Sequence, residues 1–246
     1  MGKYRDDQDL EFLQFCDNDD LSILVKFLTQ DKDGNPRLTE GLTLEEAYKT
    51  SEGNYKSIWK LIAAELQKYG GDSIVNVFRK GKGINYKEIL VDVCKKLKVN
   101  FNKNSEVIKI ENNLMLKIIE DSIEKMSEEE KREFAKQMNI NIANMTSVAI
   151  LAAIQAAVNL GGFASYKIAL IVANSTAKFL AGRGLTLALN AGLMRGLSIF
   201  AGPVGLIISG LLTLPMITGT AYRVTIPCVI QIAYMRQKLT NKNLFE

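Results

Sequence analysis

The first 145 residues alternate between segments with apolar residues at helical spacing and polar segments that separate them. Leu21, Leu24 and Leu28 recur at intervals of three and four residues, which places them on one face of an α-helix. A second segment of this kind runs from Tyr55 to Tyr69, and a longer one runs from Val107 to Met126. The strict apolar–polar alternation of a half-buried strand is absent from the sequence. The pattern predicts amphipathic helices throughout this part of the chain.

Short capping motifs predict where several of these helices begin and end. Thr43 with Glu46, and Ser127 with Glu130, have the spacing of capping boxes, in which each residue satisfies a free amide of the first helical turn. Gly70–Gly71 follows the Tyr55–Tyr69 segment and is predicted to stop that helix.

The pattern changes at residue 146, where apolar residues cease to mark one face and occupy all faces. Residues 146–166 and 196–222 are uncharged, and each stretch reaches the roughly 20 residues that a helix needs to cross a bilayer. Gly161–Gly162, Pro203 and Pro215 interrupt these stretches, and proline breaks or kinks a helix. Two long membrane spans therefore compete with about four short, closely packed helices.

The charges divide at the same point as the hydrophobic pattern. Residues 1–145 hold 23 basic and 26 acidic residues, a net charge of −3, whereas residues 146–246 hold eight basic residues and one acid, Glu246, a net charge of +7. The sequence therefore predicts an all-α protein in two parts. A front half, 1–145, of amphipathic helices packs with an apolar, Gly/Ala-rich helical back half, 146–246, and the opposite charges are expected to hold the two together.

The composition of the back half points to an anionic lipid membrane as its partner. Cations near such a surface are attracted by roughly 1 kcal/mol each, and a segment with one carboxylate suffers little repulsion. Nucleic acid is not expected, because the basic residues are scattered singly and aromatic residues do not alternate with them. The candidates for membrane contact are Arg195, Pro203, Pro215, Tyr222, Arg223, Tyr234, Arg236 and Lys238.

A second candidate site lies near two glycine-containing turns. Arg79, Lys80 and Lys82 cluster beside Gly81 and Gly83 and could bind an anion or a lipid head group. The spacing of a phosphate-binding P-loop is missing, so a helix end followed by a solvated loop is the competing interpretation.

Metal and cofactor sites are not expected. Residues 29–40 resemble an EF-hand loop, but Thr29 and Pro36 occupy positions that the motif cannot accept, which favours an ordinary Asp-Gly turn. The chain has no histidine, which removes the commonest general base and most zinc sites. Its three widely spaced cysteines are expected to be reduced, buried thiols.

Catalysis is the least favoured class of function. Glu65, Glu88 and Asp92 are the carboxylates that could converge, but charged residues at helical spacing usually form a solvated face. We predict a protein that is not an enzyme. The N-terminal residues lack the apolar region of a secretion signal, so a cytoplasmic location is expected, peripheral to or inserted in the inner membrane.

Several blocks of sequence resemble the YaaW-like family of uncharacterised bacterial proteins. They lie at residues 4–13, 63–71, 87–100 and 222–227, the last reading Tyr-Arg-Val-Thr-Ile-Pro. This family is loosely grouped with ubiquinol-cytochrome c chaperone-like proteins. The resemblance implies an all-helical fold and a role in interactions without catalysis.

Two functional hypotheses follow. The first is a membrane-associating helical protein that inserts conditionally, as pore-forming proteins and membrane-stress effectors do. The second is a soluble, chaperone-like interaction module in which the apolar helical hairpin is the buried centre of one globule. A protein partner or self-association is compatible with both.

Overall fold

Helices make up the secondary structure of the parts of the chain that the structure describes. The computed structural model describes residues 3–31, 33–38, 40–71, 83–141, 146–181, 201–213 and 222–242. The α-helices in these residues are α1 (Asn18–Thr29), α2 (Glu46–Thr50), α3 (Trp59–Gly71), α4 (Tyr86–Lys96), α5 (Val107–Ile123), α6 (Glu128–Gln137), α7 (Ser147–Asn159), α8 (Phe163–Ala181), α9 (Ala201–Thr213) and α10 (Tyr222–Thr240). Across these ranges, the one β-type pairing is an isolated bridge between Gln30 and Pro36. The predicted all-α class is confirmed.

The helix boundaries agree with one of the two predicted capping boxes. Both hydrogen bonds of the Ser127–Glu130 box are present at the start of α6. The other prediction was wrong, because Thr43 instead bonds to the carboxylate of Glu40, and α2 begins at Glu46.

Helix α3 is described up to Gly71, which agrees with the stop predicted at Gly70–Gly71. Gly70 is also a packing residue. A Cβ there would lie 2.4 Å from Cγ1 of Ile89, so its missing side chain lets α4 approach α3 closely.

The loop that resembles an EF-hand is an Asp-Gly turn in its described residues, as predicted. Oδ1 of Asp31 accepts hydrogen bonds from the backbone amides of Asp33 and Asn35, both at 2.9 Å, and Gly34 adopts a φ of 81°. In the described ranges, no group of three or more His, Cys, Asp or Glu residues is placed to hold a metal ion.

Gly161–Gly162 breaks the first uncharged stretch, as the sequence indicated. Both glycines have positive φ, 75° and 73°, a conformation that other residues rarely adopt. The chain turns by 115° between α7 and α8 at this point. No single helix among the described residues is long and apolar enough to cross a bilayer, and the bent pair α7–α8 passes that test only when its two parts are taken together.

Helix α10 lies at the centre of the fold, although it comes from the end of the back half. It packs against α1, α3, α4 and α5 of the front half and against α8 of its own half. One continuous hydrophobic core extends from Leu10 to Met235 and crosses the change of composition at residue 146. Helix α9 covers α5 and α8 on one side, and α7 packs on α5 and α8 at the periphery.

All three cysteines are free and buried, as expected. Burial raises the pKa of Cys16 and of Cys94 to about 12, and raises that of Cys228 further. The thiols therefore remain protonated at neutral pH and act as small apolar core residues.

Two glycines with different surroundings test this packing. Gly83→Ala places a Cβ 2.7 Å from Cβ of Gln67 and 2.9 Å from its carbonyl carbon, so we expect a loss of about 1–3 kcal/mol in the free energy of unfolding. Gly205→Ala meets no atom within 4 Å in the middle of α9 and should gain about 0.5–1 kcal/mol. Urea unfolding measures both, and equal effects would contradict the packing described.

Candidate functional site: the polar cluster around helix α10

The most connected polar site surrounds the last turns of α10. The helix is buried on every side from Val224 to Met235, so its polar residues must find partners inside the protein. Arg236 and Lys238 follow this stretch, and both reach residues of the front half. We call Asp17, Asp20, Tyr86, Glu111, Arg236 and Lys238 the α10 cluster.

Arg236 joins the back half to two elements of the front half. Its Nε donates to both carboxylate oxygens of Glu111 on α5, at 2.9 and 3.2 Å, and its Nη2 donates to the carbonyl of Asp9 at 2.7 Å. The guanidinium also stacks 4.2 Å from the centre of the Phe12 ring. The side chain of Glu111 is 1% exposed, and that of Arg236 is 16% exposed, so water screens this pair little.

Tyr86 donates a further hydrogen bond to Glu111. Its hydroxyl donates to Oε1 of Glu111 at 2.7 Å, and its backbone amide donates to Oδ2 of Asp7 at 2.6 Å. Asp7 thereby satisfies a free amide in the first turn of α4. Burial raises the pKa of Tyr86 well above its usual value, so the hydroxyl keeps the proton that it donates.

Lys238 attaches the other side of α10 to the beginning of α1. Its Nζ donates to Oδ2 of Asp17 and to Oδ2 of Asp20, each at 2.7 Å. Both carboxylates lie at the N-terminus of α1, where the helix dipole also favours negative charge. The contact between acidic front half and basic back half, expected from the charge split, is therefore present as Arg236–Glu111 and Lys238–Asp17/Asp20.

The pKa values of the carboxylates in the cluster are shifted in different directions. Burial raises the pKa of Glu111 and that of Asp20, outweighing the nearby cations Arg236 and Lys238. The hydrogen bond from Lys238 lowers the pKa of the more exposed Asp17. Burial acts against the charged form of Arg236, but Glu111, Tyr86 and Asp9 together outweigh it and raise the pKa of Arg236.

The structure places several membrane-contact candidates inside the protein. Arg236 and Lys238 belong to the cluster, and Tyr234 is fully buried with its ring centre 6.2 Å from that of Tyr166. Pro203 is buried near the start of α9. As found in this fold, these four side chains serve packing and internal ion pairing.

The start of α10 is more accessible. Arg223 is exposed, and Tyr222 is half-buried with the ammonium of Lys96 5.4 Å from its ring centre. The remaining candidates lie outside the described residues: Arg195 and Pro215 for membrane contact, and Arg79, Lys80 and Lys82 for anion binding.

The three carboxylates considered for catalysis occupy two helices. Glu65 is buried on α3, where Oε1 accepts from the amide of Gly41 at 3.0 Å and from Lys68 at 3.2 Å. Glu88 and Asp92 are half-buried on α4. Oδ1 of Asp92 lies 3.9 Å from Nζ of Lys95. The bonds of Glu65 fix the loop before α2 to α3, which is a structural role.

Sequence reasoning missed Glu111 and Tyr86, although the sequence carries a signal for the first. Helix α5 repeats apolar pairs at 114–115 and 118–119, and Glu111 occupies the corresponding position one turn earlier, beside Ile110. A carboxylate in such a buried pair requires a cation from elsewhere in the chain. The sequence does not indicate which cation, since Arg236 is 125 residues away.

Removing Arg236 should destabilise the whole protein. Arg236→Gln leaves Glu111 buried without its cation, and we expect the free energy of unfolding to fall by about 3–5 kcal/mol. The matched control is Arg223→Gln, the same change at an exposed position of the same helix, with an expected effect within about 0.5 kcal/mol. Urea unfolding of both variants measures the difference, and similar values would show that the pair does not hold α10.

The raised pKa of Glu111 gives a pH dependence of defined sign. The folded protein binds this proton more tightly than the unfolded chain, so the contribution of Glu111 to stability is present at acid pH and lost as pH rises through its folded pKa. We expect the unfolding free energy of the wild type, minus that of Glu111→Gln, to increase as pH falls from about 7 to about 4. A decrease over this range would mean that the charge pair with Arg236 outweighs burial.

Comparison with known proteins places the chain in a family. Residues 4–38, which include Asp17 and Asp20 of the α10 cluster, match the model of a domain of unknown function, DUF3944. A UPF0174 protein of Helicobacter pylori (strain J99 / ATCC 700824) is 46% identical over 241 residues, covering 98% of this chain and 95% of the relative. The UPF0174 protein YaaW of Escherichia coli (strain K12) is 33% identical over 240 residues, covering 96% and 97%.

No solved structure matches the chain significantly. The relatives do not confirm the looser grouping with chaperone-like proteins. They do extend over nearly the whole chain at 33% and 46% identity, and the chain therefore belongs to the UPF0174 family of YaaW-like proteins, a family whose function is uncharacterised.

Proposed function

We propose that this protein associates with anionic lipid membranes through α7 and α9 and inserts conditionally, as a pore-forming protein or membrane-stress effector does. The observation that carries the proposal is the composition of these two helices. Each is 13 residues long and contains no charged residue, yet each has positions exposed to solvent.

Large apolar side chains are among the exposed positions. Val148 on α7, Leu160 directly after it, and Leu206 on α9 are 78%, 89% and 68% exposed. A surface helix of a soluble protein normally carries charged residues on its outer face. An uncharged outer face with exposed apolar residues suits the boundary between lipid head groups and acyl chains.

The charge of the back half supports the same partner. Its eight basic residues against one acid favour a surface rich in anionic lipid. Arg223, exposed at the start of α10, is available to such a surface.

The geometry favours binding at the interface before any insertion. Spanning would require α7 and α8 to straighten at Gly161–Gly162, where the chain now turns by 115°. Straightening would also separate α8 from α10, while Arg236 and Lys238 hold α10 within the front half. Insertion is therefore conditional on α8 leaving its site on α10.

Acid acts in opposite directions on the contacts of α10, because the lowered pKa of Asp17 means that acid weakens its pairing with Lys238. Glu111 and Asp20 bind protons more tightly when buried in the cluster, so protonation favours the packed state at these two residues. We propose that the membrane itself, by solvating the apolar helices, shifts the equilibrium.

The second candidate function is a chaperone-like interaction module. It is favoured by the burial of α8 and α10, which form an apolar helical pair inside one core. In that case a protein partner or a second copy, instead of lipid, would cover α7 and α9. In both cases we expect a protein without catalytic activity that acts from the cytoplasm.

Flotation with lipid vesicles tests the leading proposal. We expect the wild type to float with vesicles containing phosphatidylglycerol and less with uncharged vesicles. Val148→Glu combined with Leu206→Glu should reduce the bound fraction at least about tenfold, because each carboxylate is repelled and costly to bring into lipid. The control is Leu44→Glu, an equally exposed apolar residue in the front half, 71% exposed, which should bind normally.

Dye release from the same vesicles separates surface binding from pore formation. Absence of both flotation and leakage, over vesicle compositions and pH values, would contradict membrane association and leave the interaction module. Cell fractionation provides the parallel test in vivo, since a peripheral protein is removed from membranes by carbonate and an inserted one requires detergent.

A further inference from the structure

Helices α5 and α7 and the segment after α4 enclose a polar pocket of about 310 Å³ that the α10 cluster does not include. This volume is at the lower end of small-molecule sites and is large enough for a lipid head group. Its polar lining consists mainly of Lys98, Asn100, Asn113, Lys117, Gln155 and Asn159. Leu116 contributes an apolar part of the wall, and Glu120 contributes one carboxylate.

We propose that this pocket binds the phosphate-bearing head group of a lipid whose acyl chain lies along the exposed face of α7. The inference rests on the proposed membrane association for the source of the ligand. It adds a specific site to an otherwise general attraction between the back half and lipid.

Four carboxamide side chains line the pocket. Within the described residues, the side chains of Asn100, Asn113, Gln155 and Asn159 make no hydrogen bond to protein, so four carboxamides are available at one pocket. Carboxamides both donate and accept, which matches the phosphate, ester and hydroxyl oxygens of a head group.

The charge of Lys98 at the pocket favours an anionic ligand. Lys98 is exposed, and no carboxylate of the described residues lies within ion-pairing distance of it. Lys117 donates to Asp121 at 2.7 Å and also lies near Glu120 and Glu124, so carboxylates offset its charge. Lys98 is therefore the cation that can pair with a phosphate at the rim of the pocket.

The backbone of Lys98 has a conformation that few non-glycine residues adopt. Its φ is 54°, in the left-handed region that glycine or asparagine usually occupies after a helix. The amide of Val99 donates to the carbonyl of Cys94 at 2.9 Å, as at a Schellman helix end, so this conformation terminates α4 and places Lys98 at the pocket.

The pocket lies beside an apolar surface of α7. Val148, Ala152, Gln155 and Asn159 share one face of α7, since their spacings of four, three and four residues follow the helical repeat. Gln155 and Asn159 line the pocket, whereas Val148 and Ala152 are exposed and apolar. About 16 Å of helix thus leads from a polar cavity to an apolar surface, as an amphiphilic ligand requires.

Binding of a soluble short-chain lipid tests this site without vesicles. We expect dihexanoyl phosphatidylglycerol, below its micelle concentration, to bind the full-length protein in titration calorimetry. Lys98→Asn removes the cation but suits the left-handed backbone, so the protein should fold and bind at least about tenfold more weakly. Lys103→Asn makes the same change at an exposed position outside the pocket and should bind like the wild type.

Competition identifies the source of the phosphate. Glycerol phosphate should compete more weakly than the short-chain lipid, because it lacks the acyl chain that contacts Val148 and Ala152. Competition by inorganic phosphate as strong as by the lipid would overturn the lipid assignment, and unchanged lipid binding by Lys98→Asn would overturn the site.

The site and the membrane proposal can fail separately. A wild type that floats with vesicles, together with a Lys98→Asn variant that binds short-chain lipid normally, overturns the site and leaves membrane association intact. A wild type that does not float, but binds short-chain lipid in a Lys98-dependent way, supports the site and contradicts membrane association.

Discussion

The ion pair between Arg236 and Glu111 places two charges in the core, where burying either charge without the other would destabilise the fold. Because the pair is buried and its guanidinium also binds the carbonyl of Asp9, it fixes the rotation of α10 about its own axis. A shift of one residue would turn Arg236 away by about 100°. Lys238 makes the matching contact with Asp17 and Asp20, and the two cations together select the orientation in which α1, α4, α5 and α8 pack around α10.

The back half consequently has two kinds of helix. Helices α8 and α10 lie largely in the core, and Arg236 and Lys238 of α10 pair with carboxylates of the front half. Helices α7 and α9 lie further out and keep an uncharged outer face. This division explains how one composition can support both functional hypotheses: the buried pair resembles the centre of a soluble globule, whereas the outer pair resembles a lipid-binding surface.

The parts of the fold that could be predicted were those set by local chemistry. The amphipathic segments became helices, the Ser127–Glu130 box caps α6, and Gly161–Gly162 breaks the first apolar stretch. The packing role of Gly70 could not be predicted, because it depends on Ile89 of α4 approaching the place where a side chain would lie.

The partners in the α10 cluster were beyond the sequence for a different reason. The charge split indicated that front and back halves attract each other, but the attraction operates through pairs such as Lys238–Asp20, which are 218 residues apart. The polar pocket has the same origin, since Lys98 and Asn159 meet only after α5 and α7 have packed. Local patterns determine which helices form, and long-range packing determines which side chains meet.

The central position of α10 also has a consequence for the order of events during synthesis. The helices that enclose it are translated first, and the apolar faces of α1, α4 and α5 that it covers stay uncovered until its residues leave the ribosome. At about 5–20 residues per second, the 218 residues between Asp20 and Lys238 take on the order of ten to forty seconds. Throughout that interval α10 cannot cover α1, α4 and α5, so the front half reaches its final packing only after this basic helix has been made.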